Sequence, residues 1–589
     1  MTGAAPSIGP LGLAALWIAT LVPGLVALNL PPSATIVNQL AAWAAWGMVA
    51  TYGSRAAGLG VAAALQRTGW LQAGLLLAAL AALASSALGS LPSGLGLSAA
   101  GTVAAAGLTA LLGAAMASSR ATAGAWTMAW AVAGLASTLV ACVQVFAPAW
   151  VDGEWIARSG AVGRAVGNVR QPNHLASLLL WGAVALVPLV ESGVLARTAA
   201  RRAAAAGALA LLVLGVMLSG SRTGLVGVGV LALWGLLDRR LSRHARVLLL
   251  AAPLMLAVAW WGVSAWADAQ AVGTAIGAAQ RVGDGDLSTG RFAIWRDTLA
   301  LLAAQPLLGL GWGEFNLAWT LTPFPQRSPQ FFDHTHNLPL QVLVELGWPL
   351  GLALLGLLGW ALWQAGVRAW RADDTQGMPG VALRAAFVMV LLMGLHSQLE
   401  YPLWYAHFLL PTAFAWGLCL GAGAPAARAS AAPPTERAPQ RWPLAVGVAL
   451  VAGAGAMLWD YQRITPIFSP PDDGTPLEVR IARGQRSWFF AHHADYARIT
   501  ALEEAWPPKP DDFRRAKHFL LDARLLEAWA RAYAREGDVE RARWIADRLR
   551  ELRQPAAAPF FAPCADAMSA NPPFQCTPAS RSFGWRDFR

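Results

Sequence analysis

Five short stretches of this 589-residue chain combine residue types that can do chemistry: Gly167 to His174, Ser219 to Gly224, Ser288 to Arg291, Asp333 to Asn337 and His396 to Tyr405. In the fourth, Asp333, His334, Thr335, His336 and Asn337 set two imidazoles beside a carboxylate and an amide. Histidine titrates near neutrality, so such a group can take a proton from a hydroxyl nucleophile while a neighbouring carboxylate or amide fixes its tautomer. The bland alternative is an interfacial histidine without chemistry. A metal pair is a third reading, but His at i and i+2 needs further ligands that the sequence does not place.

Arg222, within Ser219-Gly-Ser-Arg-Thr-Gly224, lies between two apolar runs with hardly any loop, where a charge is costly and a functional candidate by default; snorkelling to lipid phosphate is the alternative. Arg291 follows Ser288, Thr289 and Gly290 and precedes apolar Phe292 to Trp295, with Ser288 or Thr289 able to cap a helix there. Guanidinium forks match phosphate oxygens, so two such arginines make a diphosphate clamp that needs no metal. Arg170, Gln171, Pro172, Asn173 and His174 open an apolar run. Asn173 can cap that helix, which leaves Gln171 unexplained and points to hydrogen bonding with a sugar or phosphate. Glu400, with Tyr401, Pro402 and Tyr405, sits in a tight turn where a carboxylate needs a partner, such as Arg222, Arg291 or an acceptor group.

The elements that must carry these residues are membrane helices. The chain is 56% hydrophobic and 13% charged, with a mean hydropathy of +0.45 and 29 tryptophans, which excludes an ordinary soluble protein. About thirteen apolar runs are long enough to cross a bilayer, over 10–29, 34–52, 70–90, 99–118, 125–147, 173–192, 203–219, 222–237, 246–266, 337–364, 381–399, 402–421 and 442–459. The net charge of +11 sits largely in alternate short loops, including Arg197, Arg201 and Arg202, then Arg239, Arg240, Arg243 and Arg246, then Arg368 and Arg371. The positive-inside rule makes these loops cytoplasmic and puts the five polar stretches on the opposite face. The first run has no Lys or Arg before it and reads as a retained helix rather than a cleaved signal.

Five regions follow: a transmembrane scaffold over 1–148, helices with an external loop over 149–266, a large external loop over 267–336, the last helices over 337–460, and an external helical tail over 461–589. Leu525 to Leu552 reads as two amphipathic helices joined at Gly537 and Asp538 and looks like one tetratricopeptide-type hairpin. One unit is too few for a repeat array, which leaves a small helical cap, with a peptide-binding module as the alternative. Cys142 and Cys419 fall in apolar runs, whereas Cys564 and Cys576 lie in the tail, where an oxidising compartment allows a disulfide. Asp284 and Asp286 form a DxD and Asp152 and Glu154 a DxE, both short enough to arise by chance. Only Lys509 and Lys517 are lysines, so no Walker A motif is present.

Gly167, Asn168, Gln171, Pro172 and Asn173, then Ser221 to Gly224, Gly290, Arg291 and Trp295, His334 to Asn337, and Glu400 to Tyr405 together resemble the bacterial protein O-oligosaccharyltransferases. These pilin-glycosylation ligases belong with the O-antigen ligases and polymerases. The likeness covers roughly residues 165 to 420, and the early helices match in hydropathy alone. It implies an all-α, GT-C-like polytopic inner-membrane enzyme with its site facing the periplasm. It implies en bloc transfer of an oligosaccharide from an undecaprenyl diphosphate carrier to a Ser or Thr of an acceptor protein such as a pilin, without metal or other cofactor and without nucleic acid. In that scheme His336, or alternatively His334, takes the acceptor proton, and Arg222 and Arg291 stabilise the diphosphate. Glu400, Gln171, Asn173, Asn337 and Tyr405 then position sugar or acceptor, with Arg170 as a further phosphate contact. The rival readings are an O-antigen ligase acting on lipid A-core, an O-antigen polymerase, and a secondary transporter or flippase.

Overall fold

A computed structural model describes residues 8–160, 163–269, 290–329, 331–373, 377–423, 440–565 and 572–589. Among these the regular structure is helical, with one isolated bridge between Leu30 and Ser33. Eight helices are long and apolar enough to cross a membrane, Val61–Ala87, Ser93–Met116, Arg120–Phe146, Pro172–Glu191, Ala199–Ser219, Arg243–Asp268, Leu338–Arg371 and Trp442–Phe468. Four shorter apolar helices accompany them, Pro10–Leu25, Arg222–Leu237, Gly380–His396 and Ala406–Gly421. The DxD at Asp284 and Asp286, the candidate caps Ser288 and Thr289, and residues 424–439 lie outside the described residues.

The chain divides into two compact units. The first comprises Met1–Leu75, Ala104–Gly285 and Leu357–Ala456. Its centre is the helix Pro172–Glu191, in which every residue from His174 to Val190 is buried. A helix apolar on all sides can satisfy its surface only by being surrounded, which is what happens here. Trp181 packs edge-on to Trp130 at 4.7 Å and donates its indole N–H to the Met389 carbonyl at 3.1 Å. Small residues permit close helix approach: a Cβ on Gly417 would stand 2.0 Å from the Ala110 carbonyl oxygen, and one on Gly113 2.2 Å from that of Phe414. A buried Arg384–Asp238 pair at 2.6 Å ties the helix Gly380–His396 to the residue after Arg222–Leu237.

The second unit comprises Leu76–Val103, Asp286–Gly356 and Met457–Arg589. The large loop and the tail, read from sequence as separate regions, share one hydrophobic core here. Ile294, Leu301, Phe315, Trp319 and Phe332 of the loop pack in the same cluster as Leu526, Trp529, Ile545 and Leu549 of the tail. The tail hairpin is formed by Ala523–Arg535 and Val539–Leu552, with Gly537 at φ +84° and the Asp538 carboxylate accepting from the Arg541 N–H. Cys564 and Cys576 are disulfide-bonded, while Cys142 and Cys419 are free thiols.

The apolar run 337–364 is not one uninterrupted helix. Within Leu338–Arg371, Gly347 adopts φ 73° and ψ 175°. The break frees carbonyls that a neighbouring loop takes up, with the Leu310 N–H donating to Val344 and that of Gly311 to Glu345, both at 2.9 Å. Gly309 and Gly347 meet at this crossing, and a Cβ on either would come within 2.5 Å of backbone.

Candidate functional site

The sequence-derived site residues are divided between the units. Arg170, Gln171, Asn173, Arg222, Glu400 and Tyr405 lie on the first, and Arg291, His334, His336 and Asn337 on the second.

On the first unit a buried amide sets the frame. Gln144 Oε1 accepts from the N–H groups of Val166 and Gly167, at 3.0 and 2.9 Å, and its Nε2 donates to Ala157 at 2.6 Å. Asn168 ties the same loop to Leu25 and Trp155 through its Nδ2, so it is part of the frame rather than of the open site. The chain then enters the central helix through a cap, but the cap is Gln171, not Asn173. Gln171 Oε1 accepts from the His174 N–H at 2.7 Å, because its longer side chain folds back over Pro172 to reach that orphan donor.

Asn173 is thereby released for other contacts. Its Nδ2 donates to Glu400 Oε1 at 2.9 Å, and its Oδ1 accepts from Ser221 Oγ at 2.6 Å. Ser221 in turn caps the helix Arg222–Leu237 by accepting from the Gly224 N–H at 3.0 Å. One amide thus joins the turn holding Glu400 to the turn holding Arg222, across 227 residues of sequence in one direction and 48 in the other. An amide is thus among the partners of Glu400, one that the sequence did not suggest.

Arg222 is the first residue of its helix, and its buried Nη1 meets no hydrogen-bond partner among the described residues. Arg170 holds a left-handed backbone, φ 59°, uncommon outside glycine, and its Nη2 donates to the Ala27 carbonyl. Burial pushes the Arg170 guanidinium below its ordinary value. Around His174 lies a cluster that joins the sequence-derived Tyr405 to His396 and to two residues the sequence reading did not single out, Ser177 and His407. The His174 ring stands 4.8 Å from Tyr405, 5.6 Å from His396 and 6.3 Å from His407, and Ser177 Oγ bonds His396 Nδ1 at 2.7 Å. Tyr405 also stacks on Tyr401 at 6.1 Å.

On the second unit Arg291 likewise opens a helix, Arg291–Ala304, behind Gly290 at φ 76°. Trp295, one turn on and therefore on the same face, donates its indole N–H to the Thr335 carbonyl at 3.0 Å. Arg291 is thus carried by the helix face that holds the histidine loop. Thr335 is further fixed by its N–H to Gln341 Oε1 at 2.8 Å, and Gln341 Nε2 donates to Glu345 Oε1 at 2.9 Å. Asn337, Gln341 and Glu345 recur every four residues and form a polar stripe on one helix face. That pattern was legible as polar groups in an apolar run, although sequence reasoning passed over it.

Asn337 Oδ1 accepts from the Leu340 N–H at 3.0 Å, so this amide caps its helix. His334 Nδ1 pairs with Asp333 Oδ1 at 3.0 Å. Burial opposes charge on Asp333, but the neighbouring His334 and His336 imidazoles, with the hydrogen bond from His334, hold its carboxyl down at about 2. His336 sits at φ 54° with its ring 5.4 Å from Phe332. Of the two short acidic motifs, Asp152 forms a turn, its Oδ1 accepting from the N–H groups of Glu154, Trp155 and Ile156. Among the described residues no group of three or more His, Cys, Asp or Glu side chains is arranged to hold a metal.

Three family models match parts of this chain. The O-antigen ligase model covers residues 207–355, which include Arg222, Arg291 and the histidine loop. The protein glycosylation ligase model covers residues 165–189, which include Gln171 and Asn173. The model for the C-terminal part of virulence factor membrane-bound polymerases covers residues 384–557, from before Glu400 into the tail. Among curated relatives, the general O-oligosaccharyltransferase of Acinetobacter baylyi is 28% identical over 305 residues, 48% of each chain. The ComP-specific O-oligosaccharyltransferase of the same organism is 26% identical over 132 residues, 22% of each chain. The match thus spans about half the length of the first relative and less of the second. These matches relate the chain to the O-antigen ligase superfamily and, within it, to the protein glycosylation ligases.

Proposed function

We propose that this protein is a multi-pass inner-membrane glycosyltransferase. It transfers an oligosaccharide en bloc from an undecaprenyl diphosphate carrier to Ser or Thr hydroxyls of exported acceptor proteins such as pilins, at a site facing the periplasm. The observation that carries the reading is that Arg222 and Arg291 each stand at the first residue of a helix. A cation there opposes the positive end of the helix dipole, an arrangement that becomes favourable when an anion joins the guanidinium and the free N–H groups.

In this mechanism the two arginines take the diphosphate charge that grows as the glycosidic bond to the carrier breaks. His336 accepts the acceptor hydroxyl proton. Its left-handed backbone is the kind of conformation retained at working sites, and the ionised Asp333 nearby stabilises the imidazolium as it forms. His334, held by Asp333, is the alternative base. Asn173 and Glu400 present a hydrogen-bonded pair to sugar or acceptor, with Gln171, Asn337, Tyr405 and Arg170 around them.

The test is transfer from purified lipid-linked glycan to a pilin in vesicles. Arg222→Ala, Arg291→Ala and His336→Ala are each expected to lower transfer by about a hundredfold or more, the usual scale for losing one transition-state partner, with insertion unchanged. Wild-type rates in either arginine variant would remove the clamp, and full activity in His336→Ala with loss in His334→Ala would move the base. The matches to O-antigen ligase and polymerase models support a second reading, in which the acceptor is a sugar hydroxyl. Glycan appearing on lipopolysaccharide and not on the pilin would select it.

A further inference from the structure

Apart from the residues of the proposed transfer site, the second unit holds an open-mouthed cavity of about 760 Å³ between the segment Ser86–Leu97 and the tail. That volume suits a compact ligand of a few rings. Three cationic side chains, Arg514, Lys517 and Arg589, line it beside Asp511, and the buried Glu314 carboxylate behind the wall acts on Lys517 and Arg589. Lys517 Nζ is anchored on the Phe588 carbonyl at 2.7 Å and Arg589 on that of Leu310 at 3.0 Å, so both charges are fixed in place. Arg515 also reaches the cavity, but its charge is met by Asp495 at 2.5 Å.

The wall includes a built polar group. His518, fully buried as a side chain, gives its Nδ1 to Glu314 Oε2 at 2.8 Å, and Glu314 Oε1 accepts from Ser90 Oγ at 2.8 Å. The other nitrogen, Nε2, is buried and meets no hydrogen-bond partner among the described residues. His492, also in the wall, leaves its Nε2 in the same condition. Buried polar atoms of this kind call for a partner. Trp488 and Tyr533 add rings, while the Ser90 and Ser487 hydroxyls are taken up by Glu314 and Asp460.

We propose that this cavity binds an anionic saccharide, one whose rings carry a carboxylate. Arg514, Lys517 and Arg589 meet the carboxylate, Nε2 of His518 exchanges a hydrogen bond with a ring hydroxyl, and Trp488 covers the apolar ring face. An acidic peptide fits less well: peptides add to sheet edges or lie along grooves, and the described residues form no sheet while the cavity is compact. The assignment rests on the oligosaccharyltransferase reading, since the saccharide would be part of the transferred glycan held away from the reacting bond.

The experiment is calorimetric titration of detergent-solubilised full-length protein with a disaccharide of glucuronate and N-acetylglucosamine. Its carboxyl-reduced counterpart, inorganic phosphate and an Asp-rich hexapeptide serve as comparisons. The acidic disaccharide is expected to bind at least tenfold more tightly than its reduced form and to resist displacement by equimolar phosphate or peptide. Arg514→Ala, an exposed position, should weaken it about tenfold, the effect of one charge-assisted contact, and Trp488→Ala should weaken both sugars alike. Arg222→Ala should bind as wild type, so failure of binding and failure of transfer are read separately. No binding, equal binding of the reduced sugar, displacement by phosphate or peptide, or unchanged affinity in both cavity variants would overturn the proposal.

Discussion

Asn173 is the residue on which the first unit's polar turn depends, because its amide is used at both ends. Nδ2 donates to Glu400 and Oδ1 accepts from Ser221. Asn173→Asp keeps the acceptor for Ser221 but removes the donor and sets two carboxylates about 3 Å apart, so one must take up a proton or swing away. Transfer is expected to fall at least tenfold, in line with the roughly 1.5–3 kcal/mol of a hydrogen bond to a charged group. Adding Glu400→Gln restores a complementary donor, so the double variant should recover part of that loss. Strictly additive losses in the double variant would show that the pair is not coupled. None of this pairing was legible in the sequence, since the partners lie 227 positions apart and one chain carries no distance information. The residue types were legible, because a carboxylate and an arginine at tight turns between apolar runs are costly enough to stand out.

Among elements, the helix Arg291–Ala304 and the loop Asp333 to Asn337 behave as one piece, joined by the Trp295 indole and the Thr335 carbonyl. Trp295→Phe keeps a ring in place and removes the donor. The expected result is a modest stability loss of about 1 kcal/mol and a larger, several-fold fall in transfer, because the histidine loop loses its register relative to Arg291. Equal transfer per folded molecule would show that the loop is fixed without it. The helices themselves were readable from hydropathy, as length and apolarity set them. The break at Gly347 was not, because a glycine in an apolar run reads as packing, and its φ is imposed by the crossing with Gly309 from another segment. The cap at Gln171 was misassigned to Asn173 because Asn is the stronger capper by propensity, whereas Pro172 at the first helical turn leaves the preceding side chain to reach back.

Across the whole molecule, the tail is tied to the chemistry-bearing loop by a shared core and by directed hydrogen bonds. The Leu521 N–H donates to Asn316 Oδ1 at 3.2 Å, and Asn316 Nδ2 donates to the Phe332 carbonyl at 3.0 Å, one residue before Asp333. Tail folding should therefore govern loop order, and pH offers a way to vary it. Asp333 and Glu540 are both held at about 2, below the ordinary 3.8 and 4.5. For Glu540 the main causes are hydrogen bonds from Ser580 and Arg581, which fasten the chain end to the tail hairpin. A depressed carboxyl value means that the folded state favours the ion. The contribution is complete above about 4.5 and is lost as pH falls towards about 2. Lys517, lowered to about 8 by burial, works in the opposite range: charging it costs stability below 8, and that cost fades as pH rises towards 10.5. Scanning calorimetry of the full chain should show a melting transition that begins to fall below about pH 6.5, where His493, held down at about 4 by burial, resists the charge it gains on unfolding, and that falls further between pH 4.5 and 2. Glu540→Gln should lower Tm at pH 7 and flatten the acid slope, because the amide has no proton to gain. An unchanged slope in that variant would mean that acid acts elsewhere, and that the chain end is not fastened through Glu540.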